Sequence, residues 1–130
     1  MKYVPYDNVR NVDVLVGKIL KSVKRIDEDE ILFETQNGAE YLMYHRQHCC
    51  EGVYIEDISG DLSDLLDTPI LVADERVGQE ELGGPLSECD EESYTWTFYT
   101  FRTVKGTVDI RWYGSSNGYY SESVDFGLVE

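Results

Sequence analysis

The chain has 130 residues, is 42% apolar with ten Tyr, four Phe and two Trp, and carries a formal charge of −15. That is apolar surface enough to bury one core, which excludes a wholly disordered chain, and no apolar run is long enough to span a membrane. The charge argues against direct nucleic-acid binding, because its field repels phosphate. Its layout is uneven: residues 51–92 hold fourteen acids against the single base Arg76, while both ends are close to neutral.

Residues 1–13 show little periodicity and read as an irregular lead-in. They contain no apolar stretch of the secretory type, so a signal peptide is not expected. Leu15 to Arg25 mixes β-branched and long side chains and reads as a strand twisted near Gly17. Asp27-Glu28-Asp29 is a charged turn. Glu30 to Thr35 and Ala39 to His45 flank Gln36-Asn37-Gly38, and an Asn-Gly pair between two apolar runs predicts a hairpin. Val53 to Ile58 reads as a further strand.

Leu62, Leu65 and Leu66 share one face at i, i+3, i+4, and Asp61 or Ser63 supplies an N-cap, so residues 60–67 read as a short helix closed by Pro69. Pro69 to Val77 suits a strand, and residues 78–92 an acidic loop. Tyr94, Trp96 and Phe98 alternate with Thr95, Thr97 and Tyr99. After a turn at Val104-Lys105-Gly106-Thr107, the residues Val108, Ile110 and Trp112 point one way and Asp109, Arg111 and Tyr113 the other. A second turn at Ser115 to Gly118 leads into alternation from Tyr119 to Phe126. Three strands joined by two turns read as an antiparallel meander. The expected class is α+β, mainly antiparallel β: a single domain over 1–130 with six to eight strands, the C-terminal meander and one short helix.

The densest reactive cluster is His45, His48, Cys49, Cys50 and Glu51. Imidazole and thiolate are zinc ligands, and an imidazole near a thiol makes a nucleophile pair. Adjacent cysteines on an extended strand point to opposite faces, however, which opposes their sharing one ion. The plainer reading is one buried and one half-exposed cysteine with two solvent-facing histidines. A bridge between neighbours strains an eight-membered ring; a bridge from Cys89 to Cys49 or Cys50 is geometrically open, and free thiols in a reducing cytoplasm are the simpler reading for all three. Asp61, Asp64 and Asp67 recur every third residue but lack the alternating oxygens and central glycine of a calcium loop. No cofactor is expected, zinc and calcium being the ions these side chains would take.

Two surfaces suit binding. Trp112, Tyr113, Asn117, Tyr119 and Tyr120 surround a hairpin tip rich in Tyr, Ser, Gly and Asn, which are recognition-surface residues. The larger candidate is acidic: Glu56, Asp57, Asp61, Asp64, Asp67, Asp74, Glu75, Glu80, Glu81, Glu88, Asp90, Glu91 and Glu92. Charge this dense raises self-repulsion beyond what solubility needs, and carboxylates arrayed like phosphates would compete for a basic groove. The expected partner is a basic protein, a nucleic-acid-binding enzyme among them. The alternatives are a metal or thiol enzyme centred on the His-Cys cluster, and a nucleotide-binding module. The latter would be lined by Trp96 and Trp112, with Arg102, Lys105 and Arg111 gathered nearby.

The segments Cys49 to Leu62, Tyr94 to Tyr99 and Ile110 to Val124 resemble those of a family of small acidic proteins of unknown function from bacteriophages, prophages and their bacterial hosts. The resemblance runs from about Leu15 to Phe126. It implies an intracellular, phage-associated product and carries no activity with it. By analogy with other small acidic phage proteins, the expectation is a non-enzymatic, cytoplasmic inhibitor that imitates DNA.

Overall fold

The computed structural model describes residues 2–78, 93–117 and 120–130. Among these, eight strands form two four-stranded antiparallel sheets. The first sheet has the order β1 (Leu20–Ile26), β2 (Glu30–Thr35), β3 (Glu40–Tyr44), β8 (Asp125–Leu128). The second has the order β4 (Gly52–Ser59), β7 (Gly106–Ser116), β6 (Ser93–Thr103), β5 (Val72–Gly78). No described helix is long and apolar enough to cross a membrane.

Strand period explains the layering. Ile31, Phe33 and Thr35 of β2 are buried and alternate with half-buried Glu30, Leu32 and Glu34. Val108, Ile110 and Trp112 of β7 are buried against Tyr99 and Phe101 of β6. The inner faces of both sheets meet in one cluster with Phe33 at its centre, 5.5 Å from the Phe101 ring and 5.7 Å from Phe126. Tyr41 stacks on Phe126 at 5.5 Å.

The Asn-Gly hairpin joins β2 and β3 as expected. Asn37 accepts from the Thr35 hydroxyl and the Ala39 backbone, and Gly38 takes φ +96°. The two-residue turn Val104-Lys105 joins β6 and β7 in unbroken register. The acidic turn at residues 27–29 joins β1 to β2.

Three expectations change. The segment 60–67 is not an α-helix but a single 3-10 turn, Leu62–Leu65, capped by Asp61. Gly60 enters it at φ +102°, and Asp67 leaves it at φ 69°, so the apolar triplet spans too few residues to extend. The C-terminal meander does not form: β6 and β7 pair, but the third strand joins the first sheet. The flanks of β7 are filled by β6 and β4, and Phe126 gains burial against Phe33 and Tyr41 only by crossing over. The stretch read as one strand from Leu15 begins as a 3-10 turn, Val12–Leu15, bridges Ile70 and Pro69 at Val16 and Ile19, and joins β2 only from Leu20. The lead-in is irregular as expected, yet it buries Val4 and Val12 and is tied to β8 by Arg10 N–H donating to the Phe126 carbonyl at 2.8 Å. The acidic loop at 79–92 lies outside the described residues.

Candidate functional site

The His-Cys cluster lies where β3 ends and β4 begins. Glu51 is buried at its centre, and its carboxylate accepts from His45 Nε2 at 2.7 Å, from His48 N–H at 2.8 Å and from Cys49 N–H at 3.0 Å. Burial pushes this carboxyl up, but the His45 ring and the backbone donors outweigh it and hold the group at about 2. His45 Nδ1 faces the Ser123 carbonyl at 2.7 Å. Arg46 N–H reaches Asp125 at 3.0 Å, and its guanidinium donates to the Val4 carbonyl and lies 4.0 Å from the Tyr6 ring centroid. These contacts bind the end of β3 to the approach of β8 and to the lead-in.

Two expectations about the cluster are corrected. His45 is not solvent-facing: its side chain is 2% exposed, because both ring nitrogens find acceptors inside the fold. Cys49 and Cys50 are both exposed, and their sulfurs are joined to each other rather than free. The turn that brings the His48 and Cys49 N–H groups onto one carboxylate also sets the two side chains together. His48 is exposed. Among the described residues no three His, Cys, Asp or Glu side chains converge as metal ligands. Cys89 lies outside the described residues.

The acidic residues divide. Glu56 is paired with Arg111, whose Nε donates at 2.6 Å, and Asp74 lies 3.3 Å from Arg76. Glu75 accepts from the Tyr99 hydroxyl at 3.0 Å, and burial together with this carboxylate pushes the phenol up. Asp57, Asp61, Asp64 and Asp67 have no Lys or Arg within ion-pair distance among the described residues. The Asp61 carboxylate accepts the Ser63 N–H and hydroxyl, which lower its pKa. Asp64 packs beside Gly106, with its carbonyl accepting from Thr103. Glu80, Glu81, Glu88, Asp90, Glu91 and Glu92 lie outside the described residues.

Of the hairpin residues, Trp112 is fully buried in the core and Tyr113 is 5% exposed, 4.8 Å from the Trp96 ring. Asn117 is exposed, Tyr120 half-buried, and Tyr119 outside the described residues. Trp96 pairs with Tyr113 and Trp112 with Thr97, so the two tryptophans occupy opposite faces of the sheet and cannot line one pocket. Arg111 faces a trough on the outer side of the second sheet, which Arg102 and Lys105 do not line.

Residue-type reasoning missed two features. Glu122 is buried and accepts from Thr95 at 2.7 Å and from Ser116 at 2.5 Å. The trough pairs Arg111 with Phe98 across β6 and β7 and Phe98 with Arg76 across β5 and β6. Its signal was the two-residue turn at Val104-Lys105, which sets Phe98 opposite Arg111 once the register is counted back from it.

No curated protein and no solved structure matches the chain. A family described as a domain of unknown function, DUF7448, matches residues 13–126, nearly the whole chain, and the protein belongs to that family.

Proposed function

We propose that this chain is a non-catalytic binding protein, acting inside a phage-infected or prophage-bearing bacterial cell, that offers carboxylates to a basic partner. The partner class is a nucleic-acid-binding protein whose groove accepts these groups in place of phosphates. The observation that carries this reading is the run from the end of β4 through the 3-10 turn. It holds Asp57, Asp61, Asp64 and Asp67 without a cationic partner among the described residues, while Glu56 and Asp74 on the sheet face are matched by arginines. In a protein of −15, unmatched carboxylates on a turn seated against rigid strands steer a cationic surface at long range.

The test is capture from host lysate at low and high salt, with the triple variant Asp61→Asn, Asp64→Asn, Asp67→Asn beside the parent. Asparagine caps a turn as well as aspartate does and also tolerates positive φ, so the fold is retained. The expected result is a basic, nucleic-acid-binding partner that is released by salt, competed by duplex DNA and weakly held by the variant. A partner held equally by both proteins and indifferent to salt would overturn the reading.

A further inference from the structure

The outer face of the second sheet carries a trough of about 480 Å³ that shares only Asp57 with the unmatched acidic run. Asp57, Ser59, Arg76, Phe98, Asp109 and Arg111 line it. The volume falls within the usual span of small-molecule sites, about 300–1,000 Å³.

Cross-strand register builds it in two rows. In one, Phe98 stands between Arg111 of β7 and Arg76 of β5; in the next, Thr100 stands between Asp109 and Asp74. The arginines are held in place before any ligand arrives. Arg111 donates to Glu56 at 2.6 Å and lies 5.5 Å from the Trp96 ring centroid. Arg76 donates to Thr100 at 2.9 Å and lies 5.7 Å from the Phe98 centroid. Thr100 in turn donates to Asp109 at 2.7 Å, so one hydrogen-bond chain crosses three strands. Side chains locked in this way lose little entropy on binding.

The chemistry of the lining selects the ligand. A guanidinium only donates and a carboxylate only accepts. Each arginine has more N–H groups than its contacts use, and Asp57 has no partner among the described residues. An anion would leave the carboxylates unmatched and oppose the overall field; a cation would leave the spare N–H groups of both arginines without acceptors. A hydroxyl both donates and accepts, so neighbouring hydroxyls can bridge an arginine and an aspartate. The Phe98 ring supplies an apolar floor for C–H groups.

We propose that this trough binds a neutral saccharide of mono- or disaccharide size, its ring face on Phe98 and its hydroxyls shared between the Arg76/Arg111 and Asp57/Asp109 side chains. The trough meets the unmatched acidic run only at Asp57; Phe98 and Asp109 take no part in that run, so variants at these two positions test the site separately from the partner reading.

The experiment is an amide-resolved NMR titration of the full chain with maltose, cellobiose, N,N′-diacetylchitobiose and methyl glycosides of the common hexoses. L-Argininamide and inorganic phosphate serve as charged comparators. The expected result is saturable shifts confined to amides around residues 57–59, 98–100 and 109–111 with at least one sugar. Binding weakens by about ten-fold or more in Asp109→Asn and in Phe98→Ala, about the loss of one charge-assisted hydrogen bond or of the stacking floor. Asp109→Asn keeps an acceptor for Thr100, so its amide spectrum away from the trough stays that of the parent. The proposal is overturned if no neutral sugar gives saturable shifts there, if both variants bind as the parent does, or if only a charged comparator binds.

Discussion

Nε2 of His45 lies 2.7 Å from Oε2 of Glu51, and their side chains are 2% and 0% exposed. From residue types alone the two belonged to a candidate metal or thiol centre. In the fold they form a buried tie: Glu51 gathers three donors, and His45 passes the connection on to Ser123, just ahead of β8. Neither ring nitrogen faces open space. A metal ion at His45 would have to displace an internal hydrogen bond.

Glu51→Ala should cost about 3–5 kcal/mol of stability, because it strands the His45 ring and two backbone N–H groups in a buried site. Glu51→Gln keeps one acceptor oxygen and should cost less, about 1–3 kcal/mol. Urea denaturation midpoints measure both. If Glu51→Ala unfolds at the parent midpoint, the tie contributes nothing.

The same carboxyl gives a pH dependence of known sign. Its folded-state pKa is depressed from 4.5 to about 2, so the unfolded chain takes up the proton first as pH falls. The stabilisation is therefore fully present above about 4.5 and is lost as pH drops through about 2. Urea midpoints at stepped pH should fall more steeply in this window for the parent than for Glu51→Gln. Parallel curves would show that the group keeps its ordinary pKa.

Phe33→Ala should destabilise by about 3–5 kcal/mol, since the ring meets Phe101 of the second sheet and Phe126 of the crossing strand. The loss should appear as one cooperative transition by both tyrosine fluorescence and far-UV dichroism, because one cluster serves both sheets.

Gly60→Ala should cost about 1–3 kcal/mol. The residue sits at φ +102°, and a Cβ there would lie 2.5 Å from the Thr107 carbonyl oxygen. Thermal denaturation measures the loss. Gly38→Ala is the comparison: it shares a positive φ but has open space for the methyl group, so it should cost less.

What could be read without coordinates was local. The Asn37-Gly38 hairpin, the acidic turn at 27–29 and the alternation of β6 and β7 each depend on φ preferences and a two-residue period, which neighbouring residues determine together. The charge layout is likewise a property of the chain itself, and so is the family resemblance. Only tertiary structure decided where long-range partners meet. β8 leaves the expected meander because β4, some fifty residues earlier in the chain, already fills the flank of β7. Asp74 meets Arg76 locally, two residues on along the same face of β5, whereas Glu56 joined the arginine-matched acids because strand register, not sequence distance, brings Arg111 to it. His45 and Glu51 became a buried tie for the same reason: the Ser123 carbonyl that completes their network is distant in the chain and adjacent only in the fold.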